Sequence, residues 1–240
     1  ELVPVEAFQR LQCVPGLRRG KSTAKETQPK RPVNEAVVNA TLPFLSPQVA
    51  AMVRLQLLTG CRPGEIVVLR PCEISMDDDV WIYAPERHKN DFRGEERRIF
   101  LGPLAQGLLE PWLDRAPDSY CFSPEEAEAD RHAERKRRRK SKRTPSQRKR
   151  RRKANRKRAP LARYTTDSYR RAIHRACDKA GLKEKKWSPH QLRHSRGTMV
   201  RERFGLEAAQ VVLGHRHANV TQIYAERNFG LARQVAIESG

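Results

Sequence analysis

A run of 28 residues, 131–158, constrains the fold of this chain most, because it contains almost nothing that can be buried. It carries 18 Lys or Arg against one Glu, a net charge of +17. Like charges repel along such a segment, and it has no apolar face whose burial would offset the entropy of ordering it. The core must therefore come from the sequence on either side, with the basic stretch as an insertion at about 127–160.

The basic run also holds most of the charge of the protein. The whole chain has a net charge of +21, so the other residues sum to only about +4 (21 less 17). The run has three interpretations: a solvated insertion, an arm along DNA phosphates that strengthens salt-dependent binding, or a nuclear localisation signal. We expect a DNA-contacting arm that orders on binding, since ERKRRRK and QRKRRRK are both compatible with helices, with RTPSQ as their turn. The cations expected to contact DNA are Arg135, Lys136, Arg137, Arg138, Arg148, Lys149, Arg150 and Arg151.

The cysteines and the apolar runs exclude several classes of protein. Five cysteines, widely spaced and without a C-x-x-C pair, fit neither a disulfide framework nor a zinc ribbon, so a reducing cytoplasm is expected. No run approaches the roughly 18 apolar residues of a membrane span, and no signal peptide is visible. The chain begins at Glu1 rather than Met, which indicates a fragment of a longer protein.

Hydrophobic spacing predicts a mostly α fold with a small antiparallel β-sheet near the middle. NEAVVNATLPFLSPQVAAMVRLQLLTG contains two helices, the second with Ser46 as N-cap, Pro47 at its first position and Gly60 at its end. A third helix is predicted from Pro63 through GEIVVLR. DVWIYA and ERRIFL alternate as two strands of a hairpin, and DSYCFS is a candidate edge strand.

More helices are predicted around these strands. LAQGLLEPWLDRA is helical up to Pro111, and TTDSYRRAIHRACDKAG places apolar residues on one helical face. Three more helices are predicted in SPHQLRHSRGTMVRERFG, LEAAQVVLGH and NVTQIYAERN.

Two short motifs present cations suited to binding a phosphate. Arg62 follows a helix that ends in glycine and precedes Pro63, so it projects from a fixed turn and suits bidentate phosphate binding. The alternative for Arg62 is a surface salt bridge with Glu65. His190 and Arg193 are three residues apart on one helical face, and His194, within reach of that face, is expected to pack structurally.

The hairpin loop offers Lys89 as a further cation. A shifted hairpin would instead bring forward one of the other cations on it, which are Arg87, Arg93, Arg97 and Arg98.

The stretch LGHRHANVTQIYA contains two histidines and a tyrosine. His215 and His217 have no cysteine or carboxylate nearby at metal-ligand spacing, so a metal site is not expected. Tyr224 lies nine positions after His215. Taken alone, Tyr224 would be a half-buried aromatic on an amphipathic helix, and His217 is expected to face solvent or DNA.

Five motifs, in their order along the chain, resemble the signature of the tyrosine recombinase, or phage integrase, catalytic domain. They are TGCRPGEI, a lysine on the hairpin, HQLRHS, LGH and YA. The resemblance covers roughly residues 37–230. Residues 1–36 would then be an N-terminal extension or linker, and residues 231–240 a tail that is exchanged between subunits. The six positions that carry it are Arg62, Lys89, His190, Arg193, His215 and Tyr224.

The resemblance implies a chemistry for each position. Tyr224 would attack the scissile phosphate to form a 3′-phosphotyrosyl link, while Arg62 and Arg193 clamp the non-bridging oxygens. His215 would hydrogen-bond the phosphate, His190 would assist proton removal, and Lys89 would protonate the leaving 5′-oxygen. Neither a metal nor ATP is required.

The resemblance also implies partners and leaves rivals. The implied partner is double-stranded DNA in the cytoplasm, at the nucleoid of a bacterial or phage-like system. The active assembly would be a homotetramer on DNA and a monomer or dimer in isolation, with no membrane. A type IB topoisomerase and a non-catalytic nucleic-acid-binding protein of the same fold remain as alternatives.

Overall fold

The computed structural model describes residues 4–17, 20–21, 23–25, 29–87, 96–142, 144–149, 160–224 and 236–237. Of Arg148 and Tyr224 it describes the backbone only. The chain divides into two compact units, residues 1–30 and 31–240. The first contains helix α1 (Val5–Gln12), which has no buried residue.

Nine helices and three strands are described in the second unit, together with four short 3-10 turns. The helices are α2 (Glu35–Thr41), α3 (Pro47–Thr59), α4 (Pro63–Ile66), α5 (Pro103–Leu109), α6 (Pro124–Arg137), α7 (Pro145–Lys149), α8 (Thr166–Lys179), α9 (Pro189–Leu213) and α10 (Ala218–Tyr224). The strands are β1 (Ile74–Ser75), β2 (Trp81–Tyr83) and β3 (Ile99–Leu101). This confirms the predicted mostly helical fold with a small sheet.

Helix α3 begins and ends where its sequence predicts. The Ser46 hydroxyl accepts a hydrogen bond from the N–H of Val49 at 3.4 Å, and Pro47 occupies the first helical position. Gly60 ends the helix in the left-handed region, with φ +69°. A residue with a Cβ would be strained at this φ, so the turn that leads to Arg62 depends on glycine here.

The helix predicted from Pro63 through Arg70 is wrong in its length, because α4 stops at Ile66. The chain then turns so that both Val67 and Leu69 enter the core, each 2% exposed. The carbonyl of Leu69 accepts a hydrogen bond from the N–H of Cys121, a long-range partner that a continuing helix would not allow.

The three strands form one antiparallel sheet in the order β1-β2-β3. Tyr83 pairs with Ile74 on one side and Ile99 on the other, which confirms the predicted hairpin and adds β1 to it. The candidate edge strand in DSYCFS is wrong. Residues 118–123 form turns and bends, and Cys121 and Phe122 in this segment are buried.

The basic run starts from a helix that is fixed to the core. The Ser123 hydroxyl caps α6 by accepting from the N–H groups of Glu125 and Glu126. One turn later, Nε2 of Gln48 on α3 donates to a carboxylate oxygen of Asp130 at 2.7 Å. Helix α6 precedes the predicted turn RTPSQ, but α7 begins at Pro145, inside it, so the last three residues of the predicted turn are helical.

Helices α8 and α9 bring the C-terminal half of the unit onto α3. The predicted apolar face of α8 is buried at Tyr169, Ile173, Ala176 and Cys177. Two helices predicted on either side of Gly205 are joined as α9, with a kink at that glycine, where φ is +88°.

The core lies between α3, the sheet, α5 and α8. Its largest fully buried side chains are Trp187, Arg193, Tyr83, Tyr169, Phe122, Met52, Leu55, Ile66, Leu69, Leu101, Leu109 and Ile173. Within the described ranges, no helix combines the length and the apolar character needed to cross a bilayer.

A buried hydrogen-bond relay fixes the end of α3, and Tyr169→Phe tests it. Tyr169 Oη donates to Gln56 Oε1 at 3.1 Å, and Gln56 Nε2 donates to the carbonyl of Cys61 at 3.0 Å. Removing the hydroxyl leaves a buried amide oxygen without its donor, so urea unfolding should show a loss of about 1–2 kcal/mol. Tyr120→Phe, at a partly exposed tyrosine, is the control and should change stability by less than about 0.5 kcal/mol. Equal effects of the two substitutions would contradict the relay.

Candidate functional site

Arg62 is held at the start of α4 by a buried carboxylate. Its backbone N–H and its Nη1 both donate to Glu65, at 2.6 and 2.7 Å. Glu65 is 3% exposed, whereas the Arg62 side chain is 18% exposed. The alternative predicted for Arg62, an ion pair with Glu65, is therefore present but does not lie on the surface. It orients the guanidinium and leaves part of it accessible.

Arg97 binds the same carboxylate from the other side. Its Nε donates to Oε1 of Glu65 at 3.2 Å, and its side chain is only 4% exposed. Burial alone would raise the pKa of Glu65, but the charges of Arg97 and Arg62 and the hydrogen bonds from Arg62 hold it below its usual value. Glu65 is therefore an anion shared by two arginines.

Arg97 also reaches the turn that carries His215. Its Nη1 lies 3.5 Å from the carbonyl oxygen of Val212. Gly214 ends α9 with φ +60°, and a Cβ at this position would collide with the Arg97 guanidinium. The glycine of the LGH motif is therefore required both by the left-handed turn and by the close approach of Arg97.

Arg193 ties the ends of two helices together. It is 1% exposed, its Nη1 donates to the carbonyl of Gly60 at 2.7 Å, and its Nη2 donates to the carbonyl of Leu213 at 2.5 Å. These carbonyls lie at the C-terminal ends of α3 and α9, where the helix dipole favours a cation. One side chain thus brings the turn before Arg62 next to the turn before His215.

His215 completes the cluster. Its Nε2 lies 2.9 Å from Nη2 of Arg193, and its Nδ1 lies 3.1 Å from Oγ1 of Thr221. Because a guanidinium only donates, Nε2 must accept here, so the neutral ring carries its proton on Nδ1, which donates a hydrogen bond to Oγ1 of Thr221. Burial, which is the largest cause, together with the nearby Arg193, Arg62, Arg97 and His194, lowers the pKa of His215 to about 3. The imidazole is therefore neutral, surrounded by cations.

Thr221 links His215 to the helix that ends in Tyr224. It is fully buried on α10, three residues before Tyr224. The tyrosine backbone therefore lies within one helical turn of a side chain that contacts His215. The side chain of Tyr224 is outside the described part of the structure.

His190 stands at the second position of α9, half-buried, with its ring 5.4 Å from that of His194 in an edge-on arrangement. His194 is 4% exposed, in keeping with a packing residue. His217 is exposed. Within the described ranges, no group of three or more His, Cys, Asp or Glu side chains is arranged to hold a metal ion.

Some predicted site residues cannot be placed. Lys89 lies in 88–95, and Arg150 and Arg151 lie in 150–159, outside the described residues. The proposed exchanged tail is outside them too, except for positions 236–237. Four of the basic-run cations lie at the exposed end of α6, namely Arg135, Lys136, Arg137 and Arg138.

The family assignment rests on a match over most of the second unit. Residues 35–230 match the profile of a family described as the phage integrase family. This chain belongs to the phage integrase family. These are the tyrosine recombinases, as the signature residues predict.

Solved structures of two recombinases and a transposon integrase share the fold. XerA recombinase aligns with 91% of this chain and 67% of its own, at 19% identity and a TM-score of 0.56. The Tn1549 transposon integrase in complex with circular intermediate DNA aligns with 98% of this chain and 76% of its own, at 15% identity and a TM-score of 0.59. XerH site-specific recombinase bound to difH substrate aligns with 91% and 58%, at 17% identity and a TM-score of 0.51.

These structures are longer than the present chain, which spans 58% of XerH and 67% of XerA. No curated protein sequence matches the chain.

Sequence reasoning missed the role of Arg97, although a signal for it exists. Burial alternates along ERRIFL, which places Arg97 on the same inward face as Ile99 and Leu101, while Arg98 and Phe100 point outward. An arginine on the buried face of an integrase strand needs an anion, and Glu65 is that anion. The i,i+3 spacing of Arg62 and Glu65 likewise gives a capping box rather than a surface pair.

The neutral state of His215 predicts a pH dependence of stability. Its folded pKa, about 3, lies below the ordinary value of 6.5. The unfolded chain therefore binds a proton that the folded protein excludes, and stability falls as the pH drops from about 6.5 towards 3. His215→Gln cannot titrate, so its free energy of unfolding should fall less between pH 7 and 5 than that of the intact protein. NMR of the intact protein should show a neutral His215 ring at pH 5; a titration midpoint near 6.5 would contradict this.

Proposed function

We propose that this protein is a site-specific DNA recombinase that cleaves and rejoins duplex DNA through a 3′-phosphotyrosyl intermediate formed by Tyr224. One observation carries the proposal. Arg62, Arg193 and His215 belong to one connected set of hydrogen bonds and ion pairs, and Thr221 joins that set to the helix of Tyr224. Side chains from Arg62 to Thr221, 159 positions apart in the sequence, therefore belong to one cluster, which supports the proposal.

The charges in this cluster suit phosphoryl transfer. The transition state of attack on a phosphodiester gathers negative charge on the non-bridging oxygens, which preorganised cationic donors stabilise. Arg62, partly exposed and oriented by Glu65, would bind one oxygen, and Arg193 the other. Glu65 and the two helix ends hold these guanidinium groups in place before DNA binds.

His215 would change its proton state when the phosphate arrives. In this structure Nε2 accepts from Arg193, but hydrogen bonding to a phosphate oxygen requires Nε2 to donate. Burial is the largest cause of the low pKa of the imidazole, and the surrounding cations add to it. The anion would offset the cations, which favours uptake of a proton at Nε2. The bond from Nδ1 to Thr221 can be kept throughout.

The remaining roles follow the family pattern and stay proposals. Tyrosine has a pKa of about 10, so the Tyr224 phenol needs a group that helps to remove its proton, and His190 is assigned that part. Lys89 would protonate the leaving 5′-oxygen. The phosphotyrosyl ester keeps the energy of the broken bond, so rejoining requires neither ATP nor a metal.

The proposed partner is double-stranded DNA, bound by a homotetramer in which the C-terminal tail is exchanged between subunits. In the similar structures, XerH is bound to difH substrate and the Tn1549 integrase is in complex with circular intermediate DNA, which supports DNA as the partner. The excess of 49 Lys or Arg over 28 Asp or Glu supports a nucleic-acid partner.

Trapping on DNA tests the nucleophile. On a nicked suicide substrate whose cleaved end diffuses away, the intact protein should form a covalent adduct that survives denaturation. Tyr224→Phe should lose this adduct, since no other phenol is expected to replace it, whereas Tyr120→Phe should keep it. The adducted peptide identified by mass spectrometry should contain Tyr224.

Equal trapping by Tyr224→Phe would overturn the assignment of the nucleophile, and no adduct from the intact protein would favour a non-catalytic DNA-binding protein. Two differently marked DNA sites separate a recombinase from a topoisomerase, because only a recombinase joins ends from different duplexes.

We also propose that the basic run is a DNA-binding arm. Its base is fixed by Gln48 and Asp130, and Arg115 pairs with Glu126 at 3.2 Å. The first half of α6, through Asp130, contains most of its acidic residues. The other end of the helix is basic and exposed, and its one acidic residue, Glu134, pairs with Arg137 and Arg138. A cationic helix end held by a rigid base suits contact with phosphates, which need no base-specific geometry.

Salt dependence tests the arm. Changing the four cations of the exposed end of α6, positions 135–138, to Gln should flatten the slope of log affinity against log salt by about 0.9 for each DNA phosphate that the arm no longer neutralises. Affinity for DNA should be measured at four or more salt concentrations. The matched control changes four exposed cations on and after α8 to Gln, namely Arg171, Arg175, Lys179 and Lys183. An equal change in the control, or no change in the arm variant, would contradict the proposal.

A further inference from the structure

Arg97 is a buried cation of the site that the proposed chemistry does not use. It is 6% exposed and its Nη2 is buried with no hydrogen-bond partner in the described part of the chain. It lies two residues before β3 and is buried like Ile99 and Leu101, while Arg98 and Phe100 are exposed. Replacing a buried ion pair with apolar residues of similar volume is often neutral or stabilising, so stability alone does not account for an arginine here.

The contacts of Arg97 join two parts of the site that are far apart in sequence. On one side, Nε donates to Glu65, the carboxylate that also receives two hydrogen bonds from Arg62. On the other side, Nη1 approaches the carbonyl of Val212 and fills the space next to Gly214. The guanidinium is rigid and planar, so these two contacts fix a distance between Arg62 and the turn that carries His215.

We propose that Arg97 is a positioning residue that holds Arg62 in register with the His215–Tyr224 segment. We call the contacts of Arg97 with Glu65 and with the turn at Val212 and Gly214 the Arg97 link. The link is present in the protein without DNA, whereas its effect on catalysis rests on the proposed recombinase function. In the proposed function Arg62, the N-cap of α4, and Tyr224, at the end of α10, must meet at one phosphate. Misplacement by about 1 Å can cost about 100-fold in rate. A residue that sets their spacing therefore affects the cleavage rate and not the strength of DNA binding.

Arg97→Met tests the link, with Arg98→Met as the matched control. Both substitutions remove one positive charge from adjacent positions, but the Arg98 side chain is 59% exposed and pairs with the exposed Glu96. At saturating DNA, single-turnover cleavage by Arg97→Met should be about 100-fold slower, with DNA affinity within about threefold of the intact protein. Arg98→Met should cleave at the intact rate. Normal cleavage by Arg97→Met, or an equal loss in both variants, would overturn the proposal.

A measurement without DNA reports on the link directly. The groups that lower the pKa of His215 besides burial are Arg193, Arg62, Arg97 and His194. Removing the Arg97 charge and freeing the turn at Gly214 should raise the pKa of the imidazole and shift its ring resonances in NMR spectra, while Arg98→Met should leave them in place. Unchanged His215 resonances in Arg97→Met would show that Arg97 does not reach the turn, which would overturn the proposal.

Gly214→Ala approaches the same contact from the other side. The added Cβ would push against the Arg97 guanidinium, so cleavage should fall, also with little change in affinity. In the double variant Arg97→Met, Gly214→Ala the clash is gone, so the combined loss should be clearly smaller than the product of the single losses. Multiplicative losses would contradict the contact between these residues.

Arg97→Lys covers the case in which the methionine variant does not fold. Lysine keeps a cation beside Glu65, but its single ammonium cannot also reach Val212, so a folded but slower enzyme is expected. An Arg97→Lys variant that cleaves like the intact protein would overturn the proposal. If the intact protein formed no adduct at all, the recombinase function would fail, while the NMR measurement would still decide the link.

Discussion

The buried guanidinium of Arg193 holds together the two turns that form the site. It donates to the carbonyls of Gly60 and Leu213, at the ends of α3 and α9, and to the ring of His215. Each helix ends in a glycine with a left-handed φ, so the chain turns sharply just beyond the carbonyl. The two turns carry Arg62 and His215, and one arginine therefore places both.

Glu65 and Arg97 close this arrangement into a ring. Arg193 contacts Gly60, in the turn that leads to Arg62, and Arg62 pairs with Glu65. Glu65 also pairs with Arg97, whose Nη1 approaches the carbonyl of Val212. The turn after Val212 carries His215, which contacts Arg193 and completes the ring. Among the described side chains of this ring, the cations outnumber the carboxylate of Glu65. Burial, followed by these cations, lowers the pKa of His215 and keeps its ring neutral. Cationic donors that are held in place before an anion arrives are what the proposed phosphoryl transfer would require.

The sequence was sufficient for elements whose cause is local. Caps, terminal glycines and the alternation of DVWIYA and ERRIFL predicted α3, α8 and the hairpin, and the ordered motifs predicted the family. Prediction from the sequence was wrong where a contact with a residue far away in the chain determines the local structure. The chain leaves the helix after Ile66 because Leu69 bonds to Cys121, and DSYCFS buries its residues without pairing as a strand. In the site, the spacing of Arg62, Arg193 and His215 is characteristic, whereas the role of Arg97 depends on Glu65 and Gly214, which are 32 and 117 positions away. The inward alternation of its strand was the one available signal.

If the proposed function is right, Arg62, Arg193, His215 and Tyr224 meet at one phosphodiester. A crystal structure of Tyr224→Phe bound to the DNA sequence that the protein protects would show this meeting point. We expect guanidinium nitrogens of Arg62 and Arg193 and Nε2 of His215 within about 3 Å of oxygens of the same phosphate, with the ring of residue 224 beside it. Arg62 and Arg193 on different phosphates, or a ring directed away from the backbone of the DNA, would contradict the proposed site.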